Sequence, residues 1–287
     1  MSSGRQTVER RQLGLMLKRL RERAGRSQAE TARAIGKDQA RLSRVELGTG
    51  SLSPDEIATL LDFVEVDAEE RATVLSLGAE TRKRQRRRGY TDLLPGDFAR
   101  LADLEADAVE IRGYDAGAVP GLMQSPEYVR ALLNAGNSVW WESSEEELAR
   151  RVDFRLAQQR RVIEATSPKK LHFVFTEDAL HYVVGSPAVM RGQVLHLLQL
   201  GELVSDITIQ ILPFGAKDNP APGGGLILLD FIAAPAIGFV SVLFGPCTYH
   251  DQKQDIDAMA RAFGRVSQLA LSPEESRGLL IKRLKEQ

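Results

Sequence analysis

The chain has 287 residues, a net charge of −1, 43% hydrophobic residues and one cysteine. This length predicts two domains that each bury a core of their own. The longest apolar runs fall far short of the ~20 residues of a membrane-spanning helix, and the chain starts with polar and charged residues. We therefore expect a soluble, cytoplasmic protein that does not bind membranes. Cys247 has no second cysteine with which to form a disulfide, and we expect it to fill a core.

The charge is distributed unevenly along the chain. Residues 1–50 hold twelve Lys and Arg against five Asp and Glu, a net charge of +7. Beyond the basic run from Arg82 to Arg88, the rest of the chain is net negative. Because DNA responds to a local field and not to the formal total, any nucleic-acid contact is expected in the N-terminal part.

Two amphipathic helices are predicted near the start of the chain. Apolar residues at spacings of three and four predict a first helix from Leu13 to Ala24, with basic residues on its other faces. Gly25 ends this helix. Ser27 and Glu30 have the spacing of a capping box, which predicts the start of a second helix.

A tight turn and a third helix follow. Gly36 and Lys37 form the turn, Asp38 can cap the third helix, and Leu42 and Val45 point inward. Two short helices joined by a glycine-containing turn are the geometry that places the second helix in the major groove of DNA. The sequence therefore predicts a helix-turn-helix.

Two further helices complete the predicted N-terminal domain. Residues 53–56 (Ser-Pro-Asp-Glu) supply an N-cap, a proline at the first helical position and a capping box for a fourth helix. Asp67 and Glu70 are predicted to form the capping box of a fifth helix, which ends near Gly78. We therefore predict an all-α five-helix DNA-binding domain over residues 10–80.

The segment SQAETARAIGKDQARLSRVELGTGSLSPDEIATLLDFVEV, which starts at Ser27, resembles a known family. Its Ser-Gln, its Ala and Gly at the turn, and its Ser-Arg-apolar-Glu-x-Gly pattern are similar to the Xre family of lambdoid-repressor-like regulators. The resemblance implies a transcriptional regulator that binds double-stranded DNA. Leu47 departs from the family, which often has Arg at this position.

The resemblance implies roles for individual residues. Arg44 is the best candidate for base readout, because a guanidinium can donate two hydrogen bonds to guanine, worth ~1–3 kcal/mol of discrimination. Glu46 is expected to be structural, since a carboxylate would repel phosphate. The alternative for Arg41 and Arg44 is that both are solvated helix residues. The predicted DNA-binding residues are Gln28, Lys37, Asp38, Gln39, Ala40, Arg41, Ser43 and Arg44.

A basic linker is predicted over residues 81–96. Six of the seven residues from Arg82 to Arg88 are basic. Such a run can follow the DNA backbone and add salt-dependent affinity through counterion release. The alternative is a solvated linker that its own repulsion keeps open, and the sequence does not decide between the two.

An α+β domain with a small sheet is predicted over residues 97–287. Apolar residues at helical spacing predict a helix from about Phe98 to Ile111. Short apolar runs, one of them containing His172, predict strands with helices between them. The predicted strands are 171–175, 207–212, 225–231 and 237–243, and the predicted helices are one starting at Ser125, 144–165, 187–201, 251–270 and a final one capped by Ser272.

This second region also resembles a known family. It is similar to the C-terminal domain of WhiJ-like actinobacterial regulators, in which Met123 replaces the usual Leu. The resemblance implies a domain of uncharacterised biochemistry that is joined to Xre-type domains and is often encoded beside a very small partner protein. The segments that carry it are Leu104-Glu105-Ala106, residues 119–124 (VPGLMQ), 128–131 (YVRA), 175–180 (FTEDAL) and 209–214 (IQILPF).

No constellation of residues predicts catalysis. The four histidines, His172, His181, His196 and His250, show no metal-site spacing, and Cys247 has no nucleophile signature. Residues 223–225 (Gly-Gly-Gly) are not followed by the Lys-Ser/Thr of a phosphate-binding loop. We therefore expect no enzyme, no cofactor and no metal.

The Pro-Gly-Leu-Met-Gln turn and the nearby tryptophans are the candidates for a ligand pocket or a partner groove. Aromatic and Met side chains give adaptable contact area. The alternative is a buried structural turn beside core aromatic residues. The candidate residues are Leu122, Met123, Tyr128, Trp140 and Trp141.

These observations together predict a nucleoid-associated transcriptional regulator. A single repressor-type domain touches few base pairs, so we expect a homodimer on an inverted-repeat operator. The C-terminal domain would respond to a small ligand that favours one dimer geometry. The alternative is that this domain binds a small partner protein, as in a toxin and antitoxin pair, with no small ligand.

Overall fold

The computed structural model describes residues 6–82, 89–94, 96–241 and 248–286. The chain folds as two compact units, each built from two segments. Unit 1 comprises Met1–Asp107 and Asp230–Ile256, and unit 2 comprises Ala108–Leu229 and Asp257–Gln287. Cys247 and the basic run 83–88 lie outside the described residues. The division of the chain at residues 80 and 96 stays a prediction.

Helices predominate before residue 108, and helices and strands alternate after it. In chain order the elements are α1 (Val8–Arg23), α2 (Gln28–Ala34), α3 (Gln39–Glu46), α4 (Pro54–Phe63), α5 (Ala68–Glu80), β1 (Tyr90–Thr91), α6 (Asp97–Asp107), β2 (Glu110–Asp115), α7 (Pro126–Gly136), α8 (Glu145–Ile163), β3 (Lys170–Thr176), α9 (Pro187–Leu203), β4 (Ile207–Leu212), β5 (Gly225–Asp230), β6 (Ile237–Ser241), β7 (Thr248–His250), α10 (Lys253–Leu269) and α11 (Pro273–Glu286).

The five predicted N-terminal helices are confirmed, and they share one apolar core. Their inward residues recur at three- and four-residue spacings, which places them on one face of each helix. The buried core includes Leu13, Leu17, Leu20, Leu42, Val45, Ile57, Leu60, Leu61, Val74 and Leu77. Burial of this shared face, more than helix propensity, stabilises helices as short as α2 and α3.

Polar side chains begin these helices largely as predicted. Ser27 and Ser53 form complete capping boxes with Glu30 and Glu56. Asp38 caps α3 by accepting a backbone N–H at 2.6 Å. Each cap satisfies an N–H group that has no partner inside its helix.

The capping box predicted for α5 is wrong in one half. Asp67 accepts the backbone N–H of Glu70 at 2.8 Å, but the Glu70 carboxylate does not return to the N-cap. It forms an ion pair with Arg23 of α1, with one N–O distance of 3.0 Å. A charged guanidinium is a stronger donor than a neutral amide, so the long-range partner takes the carboxylate.

A short antiparallel ladder and a buried ion pair follow the five helices in unit 1. Tyr90 of β1 pairs with Tyr249 of β7, and β7 pairs with β6. Arg100 of α6 donates to both carboxylate oxygens of Asp92 at 2.7 Å, and both residues are almost fully buried. Part of the predicted linker is therefore anchored, since residues 89–94 contain both β1 and this carboxylate.

Unit 2 contains the parallel strands of the predicted α+β domain. The strands lie in the order β5, β2, β3, β4, and β3 pairs in parallel with both β2 and β4. Helices α7 and α8 connect β2 to β3, and α9 connects β3 to β4, as parallel crossovers require. The predicted α+β class is confirmed.

One predicted helix was too long. The helix expected from Phe98 to Ile111 ends at Asp107, and Ile111 lies in β2. Ile111 is fully buried, and a Cβ at Gly113 would lie 2.8 Å from the ring of Phe173 on β3. Close packing within the sheet therefore overrides the helical spacing of the apolar residues.

Among the helices of the described residues, we find none that is both long and apolar enough to span a bilayer.

Candidate nucleic-acid interface

The turn between α2 and α3 depends on a left-handed glycine. Gly36 has a φ of +67°, a conformation that a residue with a Cβ rarely adopts. Its N–H donates to the carbonyl of Arg33 at 3.0 Å, and Lys37 donates to the carbonyl of Ala32 at 2.8 Å. These two bonds close α2 and redirect the chain into α3 within four residues.

Helix α3 has one buried and one exposed face. Leu42 and Val45 are buried in the helical core. On the opposite face Gln39, Ala40 and Arg44 are exposed, and Ser43 and Arg41 are partly exposed. The residues predicted to face base edges therefore share one exposed surface of one helix.

The cations around this surface differ in their partners. Lys37 forms an ion pair with Glu56 at 2.6 Å, and Arg41 donates to the carbonyl of Ser51 at 2.7 Å. In the part of the chain that the structure describes, the guanidinium of Arg44 has no ion-pair or hydrogen-bond partner. Its donors are available to a ligand without breaking an existing contact, which is what base readout requires.

A buried network of hydrogen bonds connects α3 to α1 and α2. Arg21 of α1 donates to the two oxygens of Glu46 at 2.6 and 3.0 Å, and this bond raises the pKa of Arg21. Gln28 donates to Glu46 at 2.7 Å, and Gln39 donates to the side-chain oxygen Oε1 of Gln28 at 3.5 Å. Glu46 is buried, and these bonds favour the structural role that the sequence predicts for it.

Existing hydrogen bonds limit the further contacts that Gln28 and Asp38 can make. One donor of the Gln28 amide is bound to Glu46, and the second hydrogen of the same nitrogen remains for a phosphate. The Asp38 carboxylate accepts a backbone N–H and serves as the helix cap. Both residues therefore contribute to the placement of α3.

Sequence reasoning missed two buried arginines behind this surface, Arg21, which was expected on the basic outer face of α1, and Arg11. Arg11 of α1 is buried, and its Nη1 donates to the carbonyl of Leu47 at 2.9 Å. Basic residues around α1 suggested a solvated outer face. The spacing of Arg11 from Val8 and Leu15, three and four residues, places it on a buried stripe and is the signal that could have identified it.

Comparison with protein families supports this geometry for the N-terminal region and classifies the rest of the chain. Residues 12–74 match the family described as Helix-turn-helix domain. Residues 98–282, more than half of the chain, match the family described as Domain of unknown function (DUF5753). The chain belongs to the DUF5753 family. No curated protein matches the DUF5753 chain significantly.

The helix-turn-helix match supports a regulator of the DNA-binding kind. The narrower resemblances to Xre and WhiJ regulators stay predictions.

Within the DUF5753 domain, the Pro-Gly-Leu-Met-Gln turn is buried. Leu122 and Tyr128 are almost fully buried, and the exposed fraction of Met123 is 0%. Gln193 donates to the carbonyl of Met123 at 2.8 Å and accepts the N–H of Ser125 at 2.7 Å. These contacts favour the structural interpretation of the turn over a ligand pocket.

Other glutamines complete the anchoring of this turn. Gln159 of α8 donates to the carbonyls of Gly121 and Gln124 at 2.8 and 2.9 Å. Gln124 itself donates to the carbonyl of Val119 at 2.8 Å. Amide side chains from two crossover helices therefore satisfy the buried polar groups of a segment that has no ladder of its own.

The tryptophans of the DUF5753 domain lie in the loop between α7 and α8. Asn137 and Ser143 exchange two hydrogen bonds across this loop, at 3.1 and 2.9 Å. Trp140 is 47% exposed, whereas Trp141 lies under the guanidinium of Arg151, 5.1 Å from the ring centroid. Of the five ligand or partner candidates, Trp140 is the exposed one.

Two histidines of the DUF5753 domain, His172 and His250, have ordinary structural partners. His172 shares a hydrogen bond of 2.7 Å with Gln210, and burial lowers its pKa. His250 lies 3.3 Å from Asp255. Within the described ranges no group of three or more His, Cys, Asp or Glu is arranged to hold a metal. Cys247 lies outside these ranges.

Proposed function

We propose that this protein is a sequence-specific transcriptional regulator that reads base edges with α3. The observation that supports this most is the exposed guanidinium of Arg44, which has no partner among the described residues and lies beside Gln39, Ala40 and Ser43. A guanidinium in the major groove can donate to both O6 and N7 of guanine. Lys37, Arg41 and the remaining donor of Gln28 lie where they could contact phosphate.

The proposed operator is an inverted repeat bound by a homodimer. One helix-turn-helix contacts too few base pairs for a specific site, so two copies on half-sites about 34 Å apart are needed. The measurement is the mass of the full chain alone and on a duplex with two half-sites, by sedimentation. A monomeric mass in both conditions contradicts the dimer.

The DUF5753 region is proposed to modulate DNA binding and to have no enzymatic activity of its own. In the first version, a small ligand with different affinities for two conformations shifts operator occupancy. In the second, a small partner protein does so. The exposed Val139 and Trp140 (72% and 47%) favour the second version, because exposed aromatic residues anchor protein interfaces.

In vitro selection from random duplexes tests the DNA-binding proposal directly. We expect the full-length wild type to enrich an inverted repeat, and Arg44→Ala to relax the preference at one position of each half-site. Arg33→Ala is the matched control, since Arg33 is an exposed arginine on α2 whose Nε bonds its own helix. The absence of any enriched sequence with the wild type would overturn the proposal.

A further inference from the structure

Helix α1 lies in direct backbone contact with the last turn of α3. A Cβ at Gly14 would lie 2.4 Å from the carbonyl oxygen of Val45 and 2.6 Å from that of Glu46. Gly48 has a φ of +76°, and a Cβ there would lie 2.9 Å from the Cα of Arg11. Because the two backbones touch with no side chain between them, a movement of α1 near Arg11 displaces the end of α3.

The side chain of Arg11 reaches three groups from this position. Its Nη1 donates to the carbonyl of Leu47, the C-cap of α3, at 2.9 Å. Its Nη2 forms an ion pair with Asp107, and its guanidinium carbon lies 5.4 Å from the ring centroid of Phe231. A cation at a helix C-terminus is stabilised by the exposed carbonyls there.

The partners of Arg11 lie at the two places where the chain leaves and re-enters unit 1. Asp107 is the last residue of α6 and of the first segment of unit 1. The second segment begins at Asp230, one residue before Phe231. One buried guanidinium therefore joins the end of the recognition helix to both of these points.

We propose that Asp107 is a positioning residue for DNA recognition and acts through Arg11 on the C-terminal end of α3. This role rests on the proposed DNA-binding function. With Asp107 in place, Arg11 is held against the Leu47 carbonyl. Without the carboxylate, the buried guanidinium loses its charge partner, and the last turn of α3, which carries Arg44, loses a fixed support. Bidentate readout depends on that placement, because hydrogen bonds weaken steeply with misalignment.

The chain supplies a matched control in the same pair of helices. Arg19 of α1 forms an ion pair with Asp103 of α6, and in the described part of the chain Arg19 donates no hydrogen bond to α3. The side chain of Asp103 is 5% exposed and that of Asp107 is 28% exposed. A purely structural role therefore predicts that Asp103→Asn is at least as damaging as Asp107→Asn.

The experiment compares Asp107→Asn and Asp103→Asn in the full-length chain. Binding to the selected duplex and to a scrambled duplex is measured by fluorescence anisotropy, with the Tm of each variant. For Asp107→Asn we expect binding to the selected duplex to weaken about five- to tenfold, within the range of couplings between distant sites, and binding to the scrambled duplex to stay within twofold. For Asp103→Asn we expect both to stay within about twofold.

A second measurement does not require DNA. The backbone N–H groups of Leu47, Gly48 and Thr49 close the end of α3 by donating to carbonyls of residues 43–45. We expect hydrogen exchange at these amides to be faster in Asp107→Asn than in Asp103→Asn. Arg11→Lys should reproduce the effect of Asp107→Asn, and the double variant should add little to either single change.

The outcomes separate the two proposals. Equal losses in Asp107→Asn and Asp103→Asn, on both duplexes and in hydrogen exchange, overturn the positioning role. If the wild type enriches no sequence, the regulator function fails. In that case faster exchange at residues 47–49 in Asp107→Asn alone still supports the positioning of α3, and equal exchange overturns it.

Discussion

Helix α3 and the turn at residues 120–124 differ in how they use their polar groups. The exposed face of α3 leaves Arg44 without a partner in the described chain, whereas Gln193 and Gln159 satisfy the buried backbone groups of the turn. Both segments carry distinctive sequence motifs. A motif with unsatisfied, exposed donors points to a ligand, and a motif whose polar groups are all bonded internally points to the fold.

The difference between the two segments disappears if α3 does not depend on buried polar contacts. Arg21→Met tests this dependence, and its effect on stability is the largest that we expect. The substitution leaves the Glu46 carboxylate buried without its cation, and we expect the free energy of unfolding to fall by about 3–5 kcal/mol. The measurement is chemical denaturation followed by circular dichroism. The control is Arg23→Met, whose ion pair with Glu70 is largely exposed and is worth about 0–1 kcal/mol.

The structural role of the turn is tested by Gln193→Leu. The change leaves the N–H of Ser125 and the carbonyl of Met123 buried without partners, at about 1–3 kcal/mol for each group. We expect a loss of roughly 2–4 kcal/mol in denaturation, and unchanged affinity for the selected duplex at a temperature where the variant is folded. Gln199→Leu on the exposed side of the same helix should stay within about 0.5 kcal/mol. Equal stability of the two variants would contradict the structural role.

For Arg44→Ala we expect the reverse of Gln193→Leu, which is a loss of base discrimination with little change in stability. Because its guanidinium has no partner in the described chain, stability should change by less than about 0.5 kcal/mol. Discrimination between the selected duplex and one with a single guanine replaced should fall by about 1–3 kcal/mol. Anisotropy titrations on the two duplexes measure the difference. A uniform loss on both duplexes would assign Arg44 to phosphate contact.

Local signals in the sequence account for the elements that could be predicted. Capping residues such as Ser27 and Ser53 act within four residues of themselves, so their role is visible in the sequence. The Glu70 carboxylate can bond either to the N-cap of its own helix or to a distant cation. It bonds to Arg23, 47 residues away. Strand β2 was missed because its pairing partner β3 lies beyond two intervening helices, so no local signal marks it.

The candidate site also divides into residues that a local signal predicts and residues whose partners lie far away in the sequence. The exposed positions of α3 follow from the helix period, so Gln39 and Arg44 could be placed in advance. The partners of Arg21 and Arg11, 25 and 96 residues away, could not. A charge pattern shows which residues are basic, but the fold determines which of them are buried beneath the interface.

The smallest expected effect tests how closely the end of α3 approaches the DNA backbone. Leu47 is 45% exposed. The Xre family, which this segment resembles, often has Arg at this position. We expect Leu47→Arg to tighten binding about threefold to all duplexes alike and to steepen the dependence of log K on log salt by about 0.9, as one added phosphate contact does. Leu47→Gln is the neutral control and should leave the salt slope unchanged. Equal slopes for the two variants would mean that this turn lies away from the phosphates.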